Sequence, residues 1–210
     1  AFARHVVLAT GRDGLGGPRI LAGFAPEWRG ALWAHSADDI DFAALAGKHV
    51  VVIGAGASAF DNAAEALERG CGRLTMLLRR TSLPRVNSGK SLEGRGIWHG
   101  WHELPAEWRW RLALSVERRQ TPPPHESVRR VAAHANATLL TGAGVEAVER
   151  DGDALLLATP RGTIRADFAI LGTGFLQDAA LRPELGVMAG QIRLWRDAYD
   201  PPAAERDAAL

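Results

Sequence analysis

The sequence predicts an α/β fold in which a parallel sheet is flanked by helices and accompanied by a small antiparallel β-meander. Three observations predict it. "KHVVVIG", at residues 48–54, is an apolar, β-branched run typical of a buried parallel strand. A helical pattern and a second strand, "RLTMLLRR", complete a βαβ unit of about 30 residues. Nearer the C-terminus, Asp151-Gly152 and Arg161-Gly162 mark two hairpin turns.

The other elements can be assigned in order along the chain. "RHVVLATG" indicates a buried strand, and because no lead-in precedes it, we expect the chain to be a piece of a longer protein. Residues 14–30, rich in Gly and Pro, predict a loop, and a linker with one helical turn follows. The remaining predicted elements are strand 48–54, helix 57–69, strand 73–80, helices 106–120 and 126–135, strand 137–141, short strands near 145–150, 154–159 and 163–166, and strand 168–174.

Composition excludes several classes of protein. The chain has 210 residues and a net charge of +1, so a general nucleic-acid binder is not indicated. Its single cysteine, Cys71, cannot form an intramolecular disulfide or a thiolate metal cluster, and we expect it to be buried at a helix end. No apolar stretch approaches the roughly 20 residues of a membrane span, and no signal peptide is evident. A cytoplasmic location follows as the expectation.

A glycine-rich turn joins the two halves of the βαβ unit with the pattern Gly54-x-Gly56-x-x-Ala59. Gly54 permits a tight turn, Gly56 lets the backbone approach a pyrophosphate, and Ala59 lets the helix pack close to the strand. The helix then starts at Ala57 and Ser58, whose unpaired N–H groups and positive dipole end favour phosphate. The pattern in this context predicts dinucleotide binding; the alternative is a turn that only packs a helix on a sheet.

The charge at the end of the next strand indicates which dinucleotide binds. NAD and FAD sites usually place an acidic residue there for a ribose hydroxyl. Here Arg79 and Arg80 occupy that place. A guanidinium binds a 2′-phosphate through a forked, charge-assisted pair, whereas a carboxylate would repel it. The sequence therefore favours NADPH over NADH, the alternative being that both arginines form a solvated strand end.

Other chemistry-bearing residues have simpler explanations. A lone histidine, His35, is expected to be an exposed loop residue. No Ser/His/Asp or Cys/His arrangement and no metal-ligand spacing stands out, so the catalytic residues stay unknown and no metal is predicted. The tryptophans are expected to cover a core or a domain interface, and the arginines of the long helix to form its wet face; these residues are Trp98, Trp101, Trp108, Trp110, Arg109, Arg111, Arg118 and Arg119.

Three segments in order, "VVLATG", "VVVIGAGASA" and "FAILGTGF", resemble the flavoproteins that contain two dinucleotide-binding domains. The resemblance is closest to the flavin-containing monooxygenase-like branch, in which an NADPH domain is inserted into an FAD domain. "LLRRTSLPRVN" is similar to the NADPH-side strand end of such oxidoreductases. The resemblance implies that four cofactor-side residues lie at the connections between the domains, namely Thr10, Gly11, Thr173 and Gly174.

The resemblance also implies a division of the chain. Residues 1–47 would be an inter-domain strand and linker from the FAD domain, residues 48–174 the Rossmann-like NAD(P)-binding domain, and residues 175–210 a return segment. "WRGALWAHS" resembles the family's Phe-x-Gly-x-x-x-His signature only loosely, since Trp28 replaces Phe and His35 comes one residue late. No Trp-Pro follows that histidine, which weakens a Baeyer–Villiger assignment.

The function that the resemblance implies is hydride transfer from NADPH to FAD, followed by O₂ activation and oxidation of a small-molecule substrate. The flavin supplies that chemistry and the protein the positioning, so the absence of an evident acid–base pair is no objection. The segment alone is expected to bind NADPH and catalyse nothing. Two alternatives stay open: a non-catalytic NADP-sensing module and an NADP-dependent dehydrogenase without flavin. A homodimer is also left open.

Overall fold

The computed structural model describes residues 4, 5, 7, 9 and 16–207. The strands are β1 (Gly16–Pro18), β2 (Trp33–His35), β3 (His49–Ile53), β4 (Arg73–Leu78), β5 (Ala137–Thr141), β6 (Ala147–Asp151), β7 (Ala154–Thr159), β8 (Gly162–Ala166), β9 (Phe168–Leu171) and β10 (Phe175–Gln177). The helices are α1 (Ala57–Glu68), α2 (Arg95–Gly100), α3 (Ala106–Arg119), α4 (His125–Ala132) and α5 (Ala203–Asp207). Short 3₁₀ turns lie at Pro26–Trp28, Ala43–Leu45, Ser88–Leu92, Ala179–Leu181, Gly186–Gln191 and Trp195–Asp197.

The chain divides into two compact units. The first is built from the residues before 83 and from residues 123–190, and the second from residues 83–122 and the residues after 190. These units are defined by compactness, whereas the predicted division into residues 1–47, 48–174 and 175–210 concerns the domains of a complete flavoprotein. That division stays a prediction.

The first unit is organised around a five-stranded sheet in the order β2-β9-β3-β4-β5, in which every neighbouring pair is parallel. β6, β7 and β8 form a separate antiparallel sheet, and β1 pairs antiparallel with β10. The predicted α/β fold with a parallel sheet, flanking helices and a small meander is therefore confirmed. Each predicted strand and helix from residue 48 to residue 174 is present within a few residues of its expected bounds.

The two faces of β3 are buried by different partners, as its unbroken apolar sequence predicts. Val51 and Ile53 belong to a buried cluster that also contains Leu155 and Leu157 of the meander. Val50 and Val52 are fully buried as well, and alternation along a strand sends them to the opposite face, where α1 packs. Each such side chain contributes roughly 1.5–3 kcal/mol of burial energy, so the sheet is a rigid platform for the loops at its ends.

The second unit contains α2, α3 and α5, and its longest helix, α3, buries few of its side chains. In α3 Leu114 is the one buried residue among those described. Across the described part of the chain, every helix falls short of the length and apolar character that crossing a bilayer would need.

Candidate functional site

The predicted glycine turn lies at the carboxyl end of β3 and leads directly into α1. Gly54 has φ 136°, a backbone conformation that residues with side chains rarely adopt. A Cβ atom on Gly54 would lie 2.3 Å from the carbonyl oxygen of Gly172, which follows β9. The Gly54 N–H donates to the Leu77 carbonyl at 3.0 Å, which ties the turn to β4 as well. Glycine is therefore required here by both φ and space.

The third position of the motif is small because the neighbouring strand end comes close to it. Ala59 is fully buried, and a Cβ atom added to Gly172 would lie 2.6 Å from the Ala59 Cβ. An alanine on α1 thus faces a glycine after β9. The close helix–strand packing expected from the motif is present, and Gly172 is an additional residue on which it depends.

The tip of α1 is open to solvent in the described structure. Gly56 caps the helix with φ −85°, and nothing lies within 4 Å of the position its Cβ would take. Gly56, Ala57 and Ser58 are all exposed. The first N–H groups of the helix therefore stay free of protein side chains that would close the tip, and the positive end of the helix dipole faces open space. This arrangement fits an anionic ligand such as a pyrophosphate.

The end of β4 places the two predicted arginines at the same edge of the sheet as the helix tip, because β3 and β4 are parallel neighbours. Arg79 and Arg80 are both exposed. The loop after β5 lies alongside them: Ala143 N–H donates to the Leu78 carbonyl and Gly142 N–H to the Arg80 carbonyl, each at 2.8 Å. This loop also contacts the Arg79 side chain, since a Cβ on Gly144 would lie 3.3 Å from its Cγ.

The chain leaves the sheet after β9 through Thr173 and Gly174, which the resemblance places at a domain connection. The Thr173 hydroxyl donates to the Arg19 carbonyl, and the Arg19 N–H donates to the Gly174 carbonyl at 2.9 Å. Both residues thus join the end of β9 to the segment after β1. Their partners in that prediction, Thr10 and Gly11, lie outside the described residues.

His35 is fully buried, so the expectation of an exposed loop histidine is wrong. Its Nδ1 accepts a hydrogen bond from the Ala37 N–H at 3.2 Å, which leaves the proton on Nε2. Nε2 then donates to the Gly174 carbonyl at 3.0 Å and connects the ends of β2 and β9. The neutral imidazole thus links the ends of two strands. The only sign of burial in the sequence is the short apolar segment "LWA" that precedes His35.

The Asp38 side chain fixes the backbone of His35. Its carboxylate accepts from the His35 N–H at 2.9 Å and from two nitrogens of Arg29 at 2.9 and 2.5 Å. The hydrogen-bonded Arg29 guanidinium lowers the pKa of Asp38, against the opposing effect of partial burial. Asp38 is therefore a structural carboxylate.

Two expectations about the second unit need correction. Trp98 and Trp108 expose 70% and 54% of their surface, so they do not cover the core of this unit, and a role at a domain interface stays a prediction for them. Trp101 and Trp110 are half-buried. Arg109 is half-buried with its guanidinium carbon 4.9 Å from the ring centre of Trp195, which contradicts a purely solvated role. Arg118 and Arg119 are exposed, as expected. Arg111 is exposed but bridges two carboxylates, those of Glu107 and Glu205.

Cys71 is buried just after α1, as predicted from its type and place. Burial raises the pKa of its thiol, which disfavours the reactive thiolate. We therefore assign Cys71 to packing.

Known proteins resemble this chain over much of its length. No protein-family model matches it. The chain is 38% identical over 214 residues to the FAD-dependent urate hydroxylase of Xanthomonas campestris pv. campestris, an alignment that covers 100% of this chain and 44% of that protein. The chain therefore spans less than half the length of this curated relative.

Two solved structures share the fold. The FAD-bound cadaverine monooxygenase DfoA of Erwinia amylovora superposes with a TM-score of 0.60 at 17% identity, covering 89% of this chain and 49% of its own. The ornithine N-hydroxylase KtzI of Kutzneria was solved with reduced FAD, NADP⁺ and L-ornithine. It superposes with a TM-score of 0.55 at 13% identity, covering 75% of this chain and 43% of its own. At these identities the likeness is one of fold. With the urate hydroxylase match, the resemblance stated from the sequence is confirmed: the chain is similar to a part of an FAD-dependent hydroxylase, and it shares its fold with parts of two monooxygenases.

Proposed function

We propose that this chain is the NADPH-binding portion of an FAD-dependent oxidoreductase that is monooxygenase-like. Its 38% identical relative is named FAD-dependent, and KtzI, which shares its fold, was solved with reduced FAD and NADP⁺. These names support a flavoprotein that also uses a nicotinamide dinucleotide. They favour this function over an NADP-sensing module or a flavin-free dehydrogenase.

The single observation that carries the proposal is an open helix tip placed at the same sheet edge as two exposed arginines. The pyrophosphate of NADPH would lie on the tip, against Gly54, Gly56 and Ala57, with the Ser58 hydroxyl in reach of the same region. The space beside Gly56 is what such a group requires, since any side chain there would stand between the backbone and the phosphates. Ala59 keeps the helix close behind the turn.

Arg79 and Arg80 would bind the 2′-phosphate of NADPH. No carboxylate in the described part of the chain forms an ion pair with Arg79, so its charge is available to a ligand. Arginine suits this task because its planar guanidinium matches a phosphate through two parallel hydrogen bonds.

The residues of this chain bind and orient; the redox chemistry belongs to the cofactors. Bound FAD, in the complete protein, would take hydride from NADPH and activate O₂ toward a small-molecule substrate. This chain would hold NADPH by its adenine half while its connections, at Thr173 and Gly174, set the position of the nicotinamide-binding domain relative to the flavin. We propose the same division as above, with residues 48–174 as the nucleotide-binding domain.

A titration with NADPH and NADH tests the proposal. The full chain should bind NADPH more tightly than NADH, and Arg79→Glu/Arg80→Glu should weaken NADPH by about 100-fold while changing NADH by less than about threefold. Arg150→Glu, on the meander away from this site, is the charge-matched control and should leave both affinities unchanged. Equal binding of the two dinucleotides by the unmodified chain would overturn the assignment of both arginines.

The flavin half of the proposal has its own readout. The complete protein should purify yellow, with flavin absorbance that NADPH bleaches under anaerobic conditions. A colourless protein that still prefers NADPH would contradict the oxidoreductase and favour the sensing module or the flavin-free dehydrogenase.

A further inference from the structure

A third arginine, Arg161, reaches the proposed 2′-phosphate region from the meander. It lies in the turn between β7 and β8 and is exposed. Its own N–H donates to the Thr159 hydroxyl at 3.0 Å, which fixes the backbone of the turn. Its side-chain Nε donates to the Thr141 carbonyl at 3.1 Å, at the carboxyl end of β5. The side chain therefore crosses from the small sheet to the edge of the parallel sheet.

The guanidinium of Arg161 ends beside the segment that follows β4. A Cβ atom built on Gly142 would lie 3.8 Å from Arg161 Nη2 and 3.8 Å from the Thr81 Cγ2 methyl, so both side chains border the same space. The Gly142 N–H donates to the Arg80 carbonyl, and Thr141 pairs with Leu78 in the register of β4 and β5. Arg161 is thus placed next to the residues that carry the two predicted phosphate-binding side chains.

The charge of Arg161 is not neutralised by the protein. Its Nε is bonded to a carbonyl, and in the described residues no carboxylate pairs with its guanidinium. The next arginine of the same hairpin, Arg165, is paired with both Asp151 and Asp167. The meander pairs Arg165 but leaves Arg161 without an ion pair in the part of the chain that the structure describes. Arg161 borders Gly142 of the loop after β5, the Arg79 side chain borders Gly144 of the same loop, and Arg79 also has no ion pair among the described residues. Two arginine side chains that border one loop and lack a carboxylate partner favour a negatively charged ligand beside that loop.

We infer that Arg161 is a specificity-determining residue that binds the ribose phosphomonoester of the dinucleotide together with Arg79 and Arg80. The inference rests on the proposed function, because it assigns a ligand group to the same site. Its Nε is occupied by Thr141, so the two terminal nitrogens are the ones that bind phosphate oxygens. The nearest simpler role is structural: Arg161 would only fasten the hairpin to β5 through that Nε hydrogen bond.

The two roles predict different results for two substitutions of the same residue. Arg161→Lys keeps the charge and loses the Nε bond, whereas Arg161→Gln loses both. If Arg161 binds phosphate, Arg161→Gln weakens adenosine 2′,5′-bisphosphate about tenfold, and Arg161→Lys weakens it by a smaller factor of about threefold, because lysine keeps the charge but not the forked pair. Neither changes the affinity for adenosine 5′-monophosphate, which lacks the second phosphate. Calorimetric titration of the full chain measures the four dissociation constants, those of the two variants for each of the two ligands, against the values of the unmodified chain.

Arg150→Gln is the matched control, because Arg150 is also an exposed meander arginine whose Nε donates to a backbone carbonyl, that of Gly152. It should leave both affinities unchanged. Equal losses for Arg161→Lys and Arg161→Gln, or equal weakening of both ligands, would overturn the inference in favour of the structural role. Equal binding of adenosine 3′,5′-bisphosphate would also overturn it, since the site would then not distinguish the 2′ position.

Failure of the inference can be told from failure of the proposed function. If Arg79→Glu/Arg80→Glu abolishes the preference for NADPH while Arg161→Gln does not alter it, only the role of Arg161 is wrong. If the unmodified chain shows no preference, the proposed function fails first.

Discussion

The parallel sheet has an amino edge, where its strands begin, and a carboxyl edge, where they end, and the charged residues compared between them are paired at the first and, in the described part of the chain, without an ion pair at the second. At the amino edge the Asp167 carboxylate accepts the His49 N–H at 2.8 Å and pairs with Arg165, and Arg130 binds both oxygens of Glu68 at 2.8 and 2.6 Å. At the carboxyl edge the helix tip is open, and Arg79 and Arg161 have no ion pair within the described ranges. The charges named at the amino edge are paired within the fold, whereas Arg79 and Arg161, two of the arginines proposed to meet a ligand, have no ion pair among the described residues.

A cleft at the amino edge of the sheet is less suited to an anion than the helix tip is. An open cleft of about 440 Å³ lies at the amino edge, bordered by Trp28 and Leu32 and by charges of both signs, those of Lys48, Arg150 and Asp153. Such a mixture gives no net field for an anion. At the helix tip, by contrast, Gly56, Ala57 and Ser58 are exposed and the positive end of the α1 dipole faces solvent.

The largest expected effect separates fold from binding at the glycine turn. Gly54→Val should destabilise the protein by about 3 kcal/mol or more, because φ 136° and a Cβ position 2.3 Å from the Gly172 oxygen both oppose it. Gly56→Ala should cost about 1 kcal/mol or less, since its φ is ordinary and the space beside it is open. Urea unfolding measures both.

Binding should show the reverse order of sensitivity. Gly56→Ala, although folded, should bind NADPH about tenfold more weakly, because its methyl group would occupy the space of the pyrophosphate. A folded Gly56→Ala protein with normal NADPH affinity would contradict the placement of the phosphates on the tip of α1.

A smaller effect tests the contrast between paired and unpaired charges. Asp167→Ala should lower the free energy of unfolding by about 1 kcal/mol, because the His49 N–H and the Arg165 guanidinium lose their acceptor. Arg79→Gln keeps the aliphatic stem near Gly144 and removes no ion pair, so stability should change by less than about 0.5 kcal/mol. Similar losses in the two variants would show that Arg79 has a structural partner.

The smallest effect is a pH dependence at the amino edge. Partial burial lowers the pKa of His49, and Arg73 lowers it further, against the opposing influence of Asp167. The unfolded chain therefore binds a proton more readily, so this contribution to stability is present above the usual histidine pKa and is lost as pH falls toward the folded one. Urea midpoints at about pH 7.5 and about pH 5 should differ less in His49→Gln than in the unmodified chain. An unchanged difference would remove His49 as the cause.

The sequence predicted the βαβ unit and the meander because their signals are local. The apolar runs of β3 and β4, the glycine turn and the Asp-Gly and Arg-Gly hairpins each lie within a few residues. Local patterns also located the helix tip and the arginines after β4. Whether these bind NADPH stays a prediction.

What the sequence did not predict depends on contacts between distant segments. β2 has three residues and lies in a stretch assigned to linker, yet it pairs with β9 at the edge of the sheet. The burial of His35 depends on the Gly174 carbonyl, and the position of Arg161 depends on Thr141. The exposure of Trp98 could not be predicted, because composition does not tell which tryptophan side chains are packed against others.

The close approach of Ala59 and Gly172 means that the glycine-turn pattern of this chain depends on a residue outside the turn. Ala59, at the third position of the pattern, has room for its methyl group because Gly172, just after β9, has no side chain. Anyone grafting the turn into a different scaffold would have to transfer Gly172 along with it, and a search for the local pattern alone would accept sequences that lack this counterpart.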